Sequence, residues 1–108
     1  MSENSHRDVK YQNTGQQRAL KLVLLLSRRV VSGMKPLEIS EFLNASPSVV
    51  TRDLANLRLA GFAEQIEATG HWRLSPRVAQ IGMDVLADMD RAQRQVDETR
   101  NRFTRTQQ

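Results

Sequence analysis

The sequence predicts a mostly α-helical chain with one small β-hairpin, in the order helix, helix, helix, strand, strand, helix. Three observations predict it. Apolar residues recur at helical spacing in three short stretches and one long one. Two Ser-Pro pairs, Ser46-Pro47 and Ser75-Pro76, stand where helices begin, serine capping and proline filling the first turn. Between them, two short extended segments flank Ala68-Thr69-Gly70, which reads as a hairpin turn.

Residues 1–13 are polar and without period, and read as a flexible N-terminal arm. Thr14, with Gln17 three residues on, forms a capping-box pattern for the first helix. That helix is expected to run to about Val31, with Leu20, Val23, Leu24, Ser27, Val30 and Val31 on one face, and to end at Ser32-Gly33. A second, short helix starts near Pro36, carries Leu37, Ile39, Phe42 and Leu43, and stops at Asn44-Ala45. The third starts at Ser46-Pro47 and buries Val50, Leu54 and Leu57; Gly61 supplies a left-handed C-cap. The extended segments are Phe62 to Glu67 and His71 to Ser75. The last helix opens at Ser75-Pro76 and reaches about residue 104, leaving 105–108 as a disordered tail. The domain reading is thus an arm over 1–13, a compact helix-and-hairpin domain over 14–76 and a C-terminal helix over 77–104.

The chain has 108 residues, room for one compact domain and an appendage. It has no cysteine, which excludes disulfides and thiolate metal sites. The longest apolar run, Leu22 to Leu26, is far short of the ~20 residues that span a bilayer. Ser2 to Gln17 has no signal-peptide core, so a cytoplasmic location is expected. The formal net charge is +4, and residues 1–80 carry all of that excess. A basic balance concentrated on one region points to an anionic partner, nucleic acid first.

Two helices joined by a turn of about three residues make a helix-turn-helix, whose second helix enters the major groove of DNA. Ser40 supplies a small residue where the recognition helix must pack closely on the first. With Val50, Leu54 and Leu57 turned inward, Ser48, Arg52, Ala55 and Asn56 form the opposite face, flanked by Val49 and Thr51. Arginine can pair with guanine and asparagine with adenine through two hydrogen bonds each. Ser46 opens a helix N-terminus that offers free N–H groups to a phosphate. The bland alternative is an amphipathic helix with a solvated polar face. The hairpin directly after Leu59-Ala60-Gly61-Phe62 shifts the balance, since that is the layout of a winged helix. Its tip would be Ala68, Thr69, Gly70 and His71, with Arg73 on the second strand, able to reach phosphates or a minor groove.

The segment from Gln17 to about Gly82 resembles the DNA-binding domain of isocitrate-lyase-regulator (IclR) type transcriptional regulators. The resemblance rests on Arg18-Ala19-Leu20 with Leu22 through Leu26, Ile39-Ser40-Glu41, and Ser46-Pro47-Ser48-Val49-Val50-Thr51-Arg52. It continues through Leu54-Ala55-Asn56-Leu57, Gly61-Phe62 and Trp72-Arg73-Leu74 before Ser75-Pro76. Multiple-antibiotic-resistance (MarR) type regulators share much of this pattern. The resemblance implies sequence-specific binding of double-stranded DNA by a dimer, in bacterial or phage transcriptional regulation, with Ser48, Thr51 and Arg52 at recognition-helix positions. Asp53 stands where the family has an apolar residue and Ala63 where it has a larger aliphatic one. No effector domain follows, so no small-molecule effector and no cofactor are expected. The alternative is a winged-helix module that binds protein or RNA.

Other chemistry finds little support. His6 and His71 are distant from each other and from any ligand cluster, so no metal site is expected, and no nucleophile elbow or phosphate loop points to an enzyme. Trp72 could stack on a base but alternates with Leu74 as a core residue does. Arg28-Arg29 either complements a helix dipole or touches a phosphate. In the last helix Val78, Ile81, Val85, Met89, Ala92, Val96 and Phe103 form a near-heptad stripe too long for so small a domain to bury. Val85, Met89, Ala92 and Val96 are therefore expected to make a homodimer; the alternative is a helix docked on the first helix.

Overall fold

The computed structural model describes residues 8–105; the proposed tail beyond 105, His6 and the first part of the N-terminal arm lie outside the described residues. Val9–Tyr11 forms a single 3₁₀ turn. The helices are α1 (Thr14–Leu26), α2 (Pro36–Leu43), α3 (Pro47–Leu59) and α4 (Pro76–Arg105), and the strands β1 (Ala63–Gln65) and β2 (Trp72–Leu74). The chain divides into two compact units, one up to Ser75 and one from Pro76.

α1 starts one residue earlier than its capping pattern suggests. Asn13, not Thr14, is the N-cap, and its side chain accepts from the Gln16 N–H at 2.9 Å. α1 also ends early, at Leu26. After it the N–H groups of Arg28 and Arg29 reach back only three residues, to Leu25 and Leu26, a tightening common at helix ends. The reason lies far along the chain. Met34 pairs with Trp72 as an isolated bridge, with N–O distances of 2.8 and 2.9 Å. To bring Met34 alongside β2, the backbone turns through Gly33 at φ 72°, where a Cβ would stand 2.6 Å from the Trp72 carbonyl oxygen. Val30 and Val31, expected on the inward face of a longer helix, are exposed.

The inward face of α1 also differs from the expected one. Leu22, Leu25 and Leu26 are buried, whereas Leu20 and Leu24 face outward. Leu22 to Leu26 is apolar at every position, so periodicity there is compatible with either face. The buried leucines join Met34, Ile39, Val50, Leu54, Leu57, Ala63, Trp72 and Leu74 in one core. Each fully buried aliphatic side chain contributes about 1.5–3 kcal/mol. In α2 only Ile39 is fully buried, and Leu37 and Phe42 are exposed.

The ends of α2 and α3 are closed by local hydrogen bonds. Glu38 accepts from the Lys35 N–H at 3.2 Å and from Arg29 Nη1 at 2.8 Å, and these two donors hold its carboxyl below the ordinary range. Asn44 caps α2 in the left-handed region at φ 50°. α3 ends in a Schellman motif: Phe62 N–H donates to Leu57 O at 2.8 Å and Gly61 N–H to Arg58 O at 2.9 Å, with Gly61 at φ 83°. β1 and β2 then pair antiparallel, Ala63 opposite Leu74, Glu64 opposite Arg73 and Gln65 opposite Trp72. Alternation puts Ala63, Trp72 and Leu74 in the core. Trp72 is thus a core residue, with the Arg58 guanidinium 4.4 Å above its ring. The Ser75 hydroxyl, expected to cap the last helix, donates to the Gly61 carbonyl.

α4 is a single 30-residue helix whose residues are exposed from Ala79 onward. Among the described residues, no helix is long and apolar enough to cross a membrane.

Candidate nucleic-acid interface

The α2–turn–α3 unit is built from the turn outward. The Asn44 cap reverses the chain, and the Ser40 hydroxyl donates to the Ala45 carbonyl, bracing the turn from the middle of α2. Ser40 thus does more than leave room for the facing helix. Ser46 caps α3 by accepting from the Val49 N–H at 3.3 Å, and Pro47 occupies the first turn, where a missing N–H costs nothing.

Val50, Asp53, Leu54 and Leu57 form the buried stripe of α3. Asp53 is the surprise among them, at 9% exposure. It is balanced by Arg18 of α1, which donates from Nε to Oδ2 and from Nη2 to Oδ1, the latter at 3.1 Å. A two-pronged guanidinium–carboxylate pair fixes orientation as well as distance. It ties α3 to α1 at one angular setting. The departure of Asp53 from the apolar pattern is therefore matched by a charge on another helix, which sequence order alone does not pair with it.

With that stripe inward, Ser48, Thr51, Arg52, Ala55 and Asn56 lie on the exposed face, as the helical spacing predicts. Val49 is half-buried at its edge. Several polar groups there already have partners. Ser46 and Ser48 hydroxyls lie 3.3 Å apart, Thr51 Oγ1 donates to Pro47 O at 2.9 Å, and Asn56 Nδ2 donates to Arg52 O at 2.9 Å. Among the described residues, nothing donates to the Asn56 amide oxygen. Arg52 has no hydrogen-bond or ion-pair partner among the described residues.

The wing is less basic than its sequence suggests. Ile66 N–H donates to His71 O and Gly70 N–H to Ile66 O, both at 2.7 Å, so His71 closes the turn and Glu67, Ala68 and Thr69 make its tip. The Thr69 hydroxyl accepts from the His71 N–H at 3.2 Å, and Gly70 takes φ 76°. His71 Nδ1 lies 3.1 Å from the Ser32 carbonyl, and because that oxygen can only accept, Nδ1 carries the proton. Arg73 is engaged on two sides. It donates to Glu64 Oε2 from Nε at 3.2 Å and Nη2 at 3.1 Å, and to Val31 O from Nη1 at 3.2 Å.

One cation escaped the sequence reading. Lys21 lines an open groove with Gln17, Arg18, Phe42, Asn44 and Val49, beside the start of α3. It has no ion-pair partner among the described residues. The signal was its place one turn after Arg18 on α1, but only the packing of α1 against α3 brings it to the groove. Among the described residues, no group of three His, Cys, Asp or Glu side chains could hold a metal ion.

No protein-family model matches the chain, and no curated protein matches it. Solved structures do. HmgR of Pseudomonas aeruginosa is 23% identical, over 72% of this chain and 33% of that one, with a TM-score of 0.64. An IclR family transcriptional regulator from Brucella abortus is 18% identical, over 72% of this chain and 29% of that one, with a TM-score of 0.59. The Zalpha domain of a Cyprinid Herpesvirus3 protein, solved to show its binding mode to Z-DNA, is 25% identical over 55% of this chain and 93% of that one, with a TM-score of 0.49. This chain spans about a third of the length of the two bacterial proteins. At these identities the likeness is one of fold: the unit that ends at Ser75 is a winged helix-turn-helix of the kind found in an IclR family regulator.

Proposed function

We propose that this chain binds double-stranded DNA at specific sequences and acts in transcriptional regulation. The observation that carries the reading is the exposed face of α3. Arg52 stands there without a side-chain partner among the described residues, beside Asn56, on a helix that a buried stripe and the Arg18–Asp53 pair hold in place. An arginine that has made no internal pairing keeps its planar set of donors for a guanine edge. Ser46, Ser48, Val49 and Thr51 lie at the helix start, where N–H groups and hydroxyls suit a phosphate or the first base edges. Lys21 adds a backbone contact beside them. Thr69, Gly70, His71 and Arg73 are assigned to flanking contacts from the wing. One such module reads few base pairs, so two copies joined through Val85, Met89, Ala92 and Val96 supply the remaining affinity and specificity.

A second reading is a winged-helix module for a protein partner. Leu59, 86% exposed at the end of α3, and the acidic Glu67 at the wing tip favour it, since neither suits a phosphate backbone.

Fluorescence anisotropy with random and genomic duplexes separates the two. Neutralised phosphates release counterions, so DNA affinity should fall steeply between ~50 and ~200 mM salt. Absence of binding to any duplex at low salt would overturn the DNA reading and favour the protein one.

A further inference from the structure

The apolar stripe of α4 has a period of its own. Val78, Ile81 and Val85 recur as Met89, Ala92 and Val96, eleven residues on, and Ala92 recurs as Phe103. Eleven residues over three turns is about 3.67 per turn, so the stripe stays on one face of a nearly straight helix. A strict heptad would place Asp88 in the seam; this repeat places it on the flank. Ile81, Val85, Met89 and Val96 are all about half exposed or more.

Charge is distributed unevenly along the same helix. Its first half, Pro76 to Asp90, carries Arg77 against Asp84, Asp88 and Asp90, a net of −2. Its second half, Arg91 to Arg105, carries five arginines against Asp97 and Glu98, a net of +3. Two of these acidic groups have exposed partners within the helix: Gln80 donates to Asp84 at 3.0 Å and Arg91 to Asp88 at 3.1 Å. Such contacts are weak and yield readily to a partner outside the helix.

We propose that α4 pairs antiparallel with α4 of a second copy, with the two-fold axis passing beside Ala92. The proposal rests on the homodimer reading above and adds its orientation. About that axis Ile81 comes level with Phe103 and Met89, within about one residue, with Val96, while Val85 meets Thr99, the one polar side chain on this face between the two ends. The smallest apolar residue of the stripe sits where the helices cross, which lets their backbones approach. The acidic half of each helix then lies against the basic half of the other. Asp84 and Arg102 are about five turns apart and so occupy one flank at the same angle, and in an antiparallel pair like flanks face each other. A parallel pair would set acidic half beside acidic half and basic beside basic, at a cost in repulsion. Pro76 lies about 24 Å from Ala92 along the helix, so the two helix starts stand about 48 Å apart.

Because the chain has no cysteine, introduced thiols act alone. The variants Val85→Cys and Thr99→Cys are mixed and oxidised as full chains, with Ala87→Cys on the opposite face as the control. Sedimentation equilibrium of the unsubstituted chain at tens of micromolar runs beside them. The expected result is a dimer and a disulfide between positions 85 and 99, in yield at least tenfold above the control. Self-linked Val85→Cys should stay at control level, since the two positions 85 lie about 21 Å apart along the axis and disulfides need Cα atoms within about 7 Å. A dimer that self-links at 85 overturns the antiparallel orientation and leaves the homodimer reading standing. A dimer with neither link places the interface off this stripe and overturns the proposal. A monomeric unsubstituted chain overturns both.

Discussion

Asp53→Ala removes one partner of the pair that ties α3 to α1 and leaves the Arg18 guanidinium behind. The side chains of Arg18 and Asp53 are 25% and 11% exposed, so the stranded charge is mostly out of water. Breaking a fully buried pair costs about 3–5 kcal/mol. The exposed quarter of Arg18 recovers some hydration, which brings the loss to the lower end, and alanine's better helix propensity returns about 0.5 kcal/mol. The net expectation is a loss of about 2.5 kcal/mol, a large share of the ~5–15 kcal/mol typical of a domain. Urea unfolding followed by far-ultraviolet circular dichroism measures it, with the midpoint falling by ~1–2 M at the slopes usual for small proteins. The double variant Arg18→Met, Asp53→Leu replaces both charges with apolar groups of similar size and should return to within ~1 kcal/mol of the parent. The reasoning fails if Asp53→Ala unfolds within ~0.5 kcal/mol of the parent. It fails differently if the double variant is as unstable as the single one, because packing and not the stranded charge would then be the cause.

Arg52→Ala should cost about 1–3 kcal/mol on a selected duplex and broaden the selected sequence motif, with little change in unfolding midpoint; an unchanged motif would show that α3 does not read bases. Glu64→Gln frees Arg73 from its carboxylate partner, so binding to random duplexes should tighten and the salt dependence should steepen. A flat response in anisotropy would mean that the wing does not approach the backbone. Gly33→Ala forces a side chain into a left-handed conformation against the Trp72 carbonyl, and should lower stability by about 1–3 kcal/mol in urea unfolding. If it is neutral, the Met34–Trp72 bridge is not fixing that turn.

Local chemistry made much of this molecule legible in advance. Ser46-Pro47 marks the start of α3, Gly61 its end, and the spacing of Val50, Leu54 and Leu57 sets which face is left outward, because capping and helical period act within a few residues. The exposed positions of Ser48, Thr51, Arg52 and Asn56 follow from that period alone. The other features depend on residues far apart in the chain. α1 stops at Leu26 because Met34 must reach Trp72, and its buried face is chosen by what packs on it, since Leu22 to Leu26 offers apolar side chains all round. Glu64 and Val31 engage Arg73, and Arg18 crosses 35 positions to meet Asp53. Sequence fixes the conformations whose energies are local; which charges are neutralised, and which remain for a partner, is decided when packing brings distant side chains within hydrogen-bonding distance.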